Sequence, residues 1–185
     1  INKWDPYLGS EINGKTFGII GLGNIGKEIV KRLECFNMKF LVDYIVKNDE
    51  FTQIYKVDFV RINELIVNSD FITIHVPLNE HTKNLINEKE LKLMKKNAFL
   101  INTSRGGVVN EEALYNILKR KVINGAALDV FVEEPTKNIK LVHLKEILAT
   151  PHIGGTTIDC VLREGKMAID NIINYLEDRE PVYLI

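Results

Sequence analysis

Three short segments in the second half of the chain carry residue types that can do chemistry. Asn102-Thr-Ser-Arg-Gly-Gly-Val-Val-Asn110 places Arg105 just after an apolar run. A guanidinium there can hold a carboxylate through a bidentate fork and polarise the carbonyl beside it. Gly125-Ala-Ala-Leu-Asp-Val-Phe-Val-Glu-Glu-Pro135 supplies Asp129 and Glu134, and Thr150-Pro-His-Ile-Gly-Gly155 supplies His152 on a stiff loop that includes Gly154 and Gly155. Histidine titrates near neutrality and can pass a proton to or from an alcohol or carbonyl oxygen. A carboxylate beside it would orient the ring and favour its charged form. Taken singly, Arg105 reads as a surface ion pair, Glu134 as a solvated turn residue and His152 as a loop residue before a helix. Their joint placement after successive strand-like runs points to one site.

A fourth segment has a different chemistry. Gly21-Leu-Gly-Asn-Ile-Gly26 follows a β-branched run and opens an amphipathic stretch. In that context Gly21 permits a tight turn, Gly23 lets backbone approach a pyrophosphate, and Gly26 lets helix and strand pack closely. N–H groups near Asn24 and Ile25 would meet phosphates at the positive helix end. The spacing alone is weak evidence; the strand before it and the helix after it make it a dinucleotide site. Asp43 stands where an acid would grip ribose hydroxyls and repel a 2′-phosphate, and Tyr44 follows it at once. NAD is therefore favoured, and nearby Lys47 keeps NADP open. His75-Val-Pro-Leu78 offers Val76 and Pro77 as a cover for the cofactor, with Thr82 shortly after; His75 is as well suited to a structural role. His81 and His143 read as surface residues.

The elements that would position these residues alternate along the chain. Strands are expected at Thr16–Ile20, Lys39–Val42, Lys56–Val60, Phe71–Val76, Ala98–Ile101, Gly125–Val130 and Ile147–Ala149. Between them lie a helix with Ile25, Ile29, Leu33 and Phe36 at helical spacing, a brief one at Leu65–Val67, and one at Asn87–Lys95. Another is capped by Asn110, with Glu111 and Glu112 in its first turn and Leu114, Ile117 and Leu118 inward. A last helix from about Asp159 to Leu176 carries Ile169, Ile172, Ile173 and Leu176 on one stripe. This is the pattern of an α/β fold: a doubly wound parallel sheet, the Rossmann fold, with helices on both faces.

Composition narrows the rest. At 185 residues and 45% hydrophobic, the chain suits one domain. An arm is expected over residues 1–13, a core with its C-terminal helix over 14–180, and a departing segment over 181–185. A net charge of -1 with mixed-sign charges gives no footprint for nucleic acid or an anionic membrane. The longest apolar run, near Thr16–Leu22, is too short to span a bilayer. There is no secretory signal, so a cytoplasmic location is expected. The absence of an initiator Met before Ile1 suggests a fragment or a processed chain. Cys35 and Cys160 read as small buried thiols, and no metal-ligand spacing occurs.

The runs Gly14-Lys-Thr-Phe-Gly-Ile-Ile-Gly-Leu-Gly-Asn-Ile-Gly26, His75-Val-Pro-Leu78, Asn102-Thr-Ser-Arg-Gly106, Leu128-Asp-Val-Phe131 with Glu134-Pro135, and Thr150-Pro-His-Ile-Gly-Gly155 resemble the D-isomer-specific 2-hydroxyacid dehydrogenases. The resemblance extends over essentially the whole chain and is nearest to the D-3-phosphoglycerate dehydrogenase branch. It implies that Arg105 binds a substrate carboxylate, that Glu134 pairs with His152, and that His152 exchanges a proton with the substrate oxygen. It implies that Asp129 holds the nicotinamide carboxamide, and that Asn24, Ile25, Val76, Thr82, Thr103 and Ser104 contact the cofactor. In the family the ribose-binding acid usually falls where Tyr44 stands. The resemblance further implies a second, substrate-binding domain outside these residues, a homodimer formed through this domain, and a small 2-hydroxy or 2-keto acid as substrate. Glyoxylate or hydroxypyruvate reduction is the alternative within the family. An NAD-sensing, corepressor-like interaction module is the alternative outside it, with no basic stretch or peptide-binding motif in its favour.

Overall fold

A computed structural model describes residues 8–43 and 49–182. Tyr44, Lys47, the arm around Trp4 and the last three residues lie outside the described residues. Among those described, seven parallel strands form one sheet: β1 (Thr16–Ile20), β2 (Lys39–Asp43), β3 (Val57–Phe59), β4 (Phe71–Ile74), β5 (Phe99–Asn102), β6 (Gly125–Leu128) and β7 (Ile147–Ala149). Their spatial order is β3-β2-β1-β4-β5-β6-β7. The order reverses between β1 and β4, and at such a switch point the strand ends diverge and leave a crevice. Register is simple along the sheet, with Gly18 beside Leu41 on one side and Ile72 on the other.

The two faces are covered differently. On one, Ile20, Leu41, Ile72, Ile74, Leu100, Ala126 and Leu128 meet four helices: α3 (Ile62–Asn68), α4 (Glu88–Leu93), α5 (Glu111–Lys119) and α6 (Ile139–Val142). On the other, Phe17, Ile19, Phe40 and Val42 pack with α1 (Asn24–Leu33) and α2 (Asp49–Tyr55). Beyond them Phe71, Phe99, Ile101, Ala127 and Leu148 line an apolar hollow of about 390 Å³. The strands are apolar and β-branched on both sides because both sides are meant to be covered. No helix among the described residues is long and apolar enough to cross a membrane.

Several local expectations change. The buried face of α1 is Gly26 and Val30, with Ile29 and Leu33 of the expected stripe packed beside them, whereas Ile25 and Phe36 are exposed. Ile25 is 61% exposed, and Phe36 belongs to a 3-10 turn, Glu34–Phe36, closed by Asn37 in the left-handed region. The missing side chain at Gly26 draws that side of the helix onto the strand and thereby fixes its rotation. The strands ending at Ile74 and Leu128 are shorter than expected. Helices α2 and α6 are additional, and Cys35 is exposed rather than buried. Helix α7 (Ile158–Leu176) forms as expected under a Thr157 cap that accepts from the Cys160 N–H. None of its residues is buried, and the stripe of Ile169, Ile172, Ile173 and Leu176 is exposed.

Candidate active site

The glycine turn connects β1 to α1. Gly21 adopts φ +97°, and a Cβ there would stand 2.5 Å from the His75 carbonyl oxygen. Only glycine permits both the conformation and the approach. Backbone hydrogen bonds fix the turn: the Gly21 N–H donates to the Asp43 carbonyl, and the His75 N–H to the Ile20 carbonyl. Helix α1 starts at Gly23 with no side-chain cap and no acidic residue in its first turn. Its first N–H groups are thus left for an anion. Nothing lies within 4 Å of a Cβ built on Gly23, which fronts a cleft of about 410 Å³. That cleft is lined by Gly23, Asn24, Ile25, His75, Val76, Pro77, Thr103, Ser104 and Arg105.

Other candidates for the cofactor are placed less directly. Asp43 ends β2 half-buried; burial pushes its carboxyl pKa up, and an Ile62 N–H donated to it works the other way. Part of its hydrogen-bonding capacity therefore serves the start of α3. The Thr82 hydroxyl donates to the Pro77 carbonyl at 2.5 Å and accepts from the Asn79 N–H at 2.8 Å. It braces its own turn and does not line the cleft. His75 bonds the Thr73 hydroxyl through Nε2 at 2.9 Å, while its Nδ1 is buried with no hydrogen-bond partner. Burial lowers its pKa to about 4, so the ring is neutral at pH 7.

Arg105 joins this cleft to a second one. Asn102, buried at the end of β5, organises the turn that carries it: its amide donates to the Arg105 carbonyl, and its oxygen accepts from the Ser104 N–H and hydroxyl. Sequence reading quoted Asn102 without giving it a part. An Asn closing a strand before small residues and Gly-Gly was the available signal, because such a side chain mimics a backbone turn. The Arg105 guanidinium donates to the Ser104 carbonyl and remains exposed. It lines a cleft of about 300 Å³ together with Leu78, Gly106, Val130, Phe131, Val132, Glu134 and His152. Gly106 sits hard against the neighbouring loop, where a Cβ would fall 1.9 Å from the Phe131 carbonyl oxygen.

His152 and Glu134 meet directly. The imidazole Nδ1 lies 2.7 Å from Glu134 Oε2, and Glu134 Oε1 accepts from the Phe131 N–H at 2.9 Å. The His152 ring and then the Phe131 N–H hold the Glu134 carboxyl below the usual carboxylate range. His152 itself has φ +54°, a strained conformation for a non-glycine residue. Asp129 is what holds it there. Only 5% exposed, its carboxylate accepts from the Thr150 hydroxyl (2.6 Å), the Ile153 N–H (2.8 Å) and the Gly154 N–H (2.8 Å). Burial pushes the Asp129 pKa up, but these three donors outweigh it and keep the group ionised. The side-chain hydrogen bonds of Asp129 thus go to the loop that carries His152, and Gly155 beside that loop is exposed.

Residues 2–154 match the sequence pattern of the D-isomer specific 2-hydroxyacid dehydrogenase, NAD binding domain. The chain belongs to that family. It is 43% identical to a glyoxylate reductase of Thermococcus litoralis, over 98% of this chain and 56% of that protein. It is also 43% identical to the D-3-phosphoglycerate dehydrogenase of Methanocaldococcus jannaschii, over 92% of this chain and 33% of that one. The crystal structure of a glyoxylate reductase from Paecilomyes thermophila superposes with a TM-score of 0.89 at 30% identity, covering 97% of this chain and 54% of that chain. The chain thus spans about half the length of the first of these relatives. The capless α1, the open face of Gly23 and the half-buried, neutral His75 suit the NAD of the family's nucleotide-binding domain.

Proposed function

We propose that this chain is the nucleotide-binding half of an oxidoreductase that interconverts a D-2-hydroxy acid and its 2-keto acid. The observation that carries this reading is the 2.7 Å contact between His152 Nδ1 and Glu134, in a cleft shared with Arg105. With Nδ1 committed to a carboxylate, Nε2 is the ring nitrogen left to face substrate. A charged imidazole there donates to the carbonyl oxygen during reduction, and a neutral one accepts from the hydroxyl during oxidation. Glu134 stabilises the imidazolium that oxidation leaves behind. Arg105, between the two clefts, holds the substrate carboxylate and would set the adjacent carbon towards the nicotinamide of the bound cofactor. Asn24, Ile25, Val76, Pro77, Thr103 and Ser104 would hold NAD, partly through backbone, and NAD supplies hydride acceptance or donation when bound. Asp43 favours NAD over NADP by its charge.

The relatives' greater length supports a substrate domain outside these residues, completing the cleft and excluding water, and pairing with a second copy is part of the same proposal. Phosphoglycerate and the smaller keto acids glyoxylate and hydroxypyruvate are the substrates to compare. Steady-state NAD reduction with phosphoglycerate, and NADH oxidation with glyoxylate and hydroxypyruvate, by a protein that includes the remaining segments, test the reading. The expected outcome is saturable turnover that His152→Asn lowers by ~100-fold or more, while the 185 residues alone bind NAD without useful turnover. Equal turnover in the His152→Asn variant would remove His152 from the chemistry.

A further inference from the structure

Glu134 is exposed on an irregular stretch between β6 and α6, yet it must hold one face of His152. The Phe131 N–H fixes one of its oxygens locally, but something else has to fix the stretch itself. Glu111, the first residue of α5, reaches across to do so. Its Oε1 accepts from the Val132 N–H at 2.7 Å and its Oε2 from the Asn138 side-chain amide at 2.8 Å. One carboxylate thus pins both ends of the arc in which Glu134 sits.

We infer that Glu111 is a positioning residue for the Glu134–His152 pair, coupling the Arg105 loop to the arc that carries Glu134. The inference deepens the proposed function and rests on it in taking that pair as the proton-transfer device. Glu111 follows Arg105 by six positions on the same turn-to-helix segment, and Gly106 of that segment lies against the Phe131 backbone. Arg105 and Glu134 therefore keep their separation because one segment grips the other at two places. A general charge effect at the start of α5 does not explain the arrangement. Glu112 stands in the same first turn and pairs with Lys140 instead, whereas Glu111 is half-buried and directed at two donors of the Glu134 arc. Removing Glu111 takes away the acceptor that ties Val132 and Asn138 to α5, and so loosens the arc.

The test follows the Glu134 side-chain carboxyl by carbon-detected NMR during a pH titration of the 185-residue protein, with NAD affinity measured in parallel. His152 lowers the Glu134 midpoint and Asp129 raises it, and the Arg105 guanidinium lines the same cleft. In Glu111→Ala the midpoint should rise by about half a pH unit or more as the contacts to His152 and the Phe131 N–H slacken, with NAD affinity within about twofold of the wild type. Glu111→Gln should restore most of the wild-type value, because Asn138 Oδ1 is buried without a partner and the amide can turn to accept from the new one. Glu112→Ala should leave the midpoint where it was. A folded Glu111→Ala protein with an unchanged Glu134 midpoint overturns the inference. If that variant does not fold, Asn138→Ala removes one of the two anchors and is read the same way. The titration reports geometry whether or not the protein reduces keto acids, so absent turnover would count against the function and not against this assignment.

Discussion

The two ends of the site are built from opposite materials. At the glycine turn, between β1 and α1, positions are set by main-chain hydrogen bonds and by side chains that are missing. Gly21 and Gly26 let backbone come together, and α1 begins without a cap. At the far rim, after β5, β6 and β7, positions are set by carboxylates that collect donors from elsewhere in the chain. Asp129 gathers the 150–154 loop, Glu134 the His152 ring, and Glu111 the arc between Val132 and Asn138. A surface that receives phosphates must leave its N–H groups unspent, whereas a proton-transfer ring must be held at one angle. The first end is therefore specified by absence and the second by long-range hydrogen bonds.

Substitutions should separate the ends by what they damage. The largest effect is expected where the carboxylate rim meets the Arg105 turn. In Gly106→Ala the new methyl meets the Phe131 carbonyl, backbone against backbone, and the protein should lose about 3 kcal/mol or more of stability in a denaturant melt. Asp129→Ala should follow at about 2–3 kcal/mol, since it removes the acceptor of three part-buried hydrogen bonds that hold the His152 loop. Its amide-exchange signature should be lost protection at Ile153 and Gly154, with the glycine turn unaffected.

Acid should also act in two stages. His75 has its pKa lowered to about 4 from 6.5, so the unfolded chain takes up a proton across that range before the folded one does. Stability should therefore fall as pH drops from about 6.5 towards 4, by ~1–2 kcal/mol once partial exposure of the ring is allowed for. His75→Asn should flatten that slope. Asp129 and Glu134 are depressed below ordinary carboxylates, so their contribution is present above their unfolded pKa and lost below it. A second, steeper loss should appear below about pH 4 and should be weaker in Asp129→Ala. Thermal melts across this pH range distinguish the two stages.

Much of the fold was legible because strands buried on both faces leave continuous apolar runs, and Gly or Pro marks their ends. Helix α5 was legible from its Asn110 cap and the spacing of Leu114, Ile117 and Leu118. Helix α2, seven residues with a polar exterior, and α6, of four residues, are too short to show a period. The rotation of α1 was legible only in part: Ile29 and Leu33 pack inward as their spacing suggests, but Gly26 makes its contact by having no side chain. The site residues could be named from their types and their places after strands. The work of Asp129 and Glu111 could not, because their partners are mostly main-chain N–H groups some twenty residues away, which leave no mark on residue identity. Resemblance assigned Asp129 to the nicotinamide, while its hydrogen bonds in the structure run to the His152 loop.

The most direct test of an end specified by absence is a calorimetric titration with NAD of the wild-type chain and of Gly23→Ala. Because a Cβ at Gly23 meets nothing within 4 Å and its φ is -74°, the variant should melt within ~1 kcal/mol of the wild type. Its methyl would stand where the pyrophosphate must approach, so NAD binding at one site in the wild type should weaken at least about tenfold in the variant. A wild type that binds no NAD, or a variant that binds it equally well, would contradict the account.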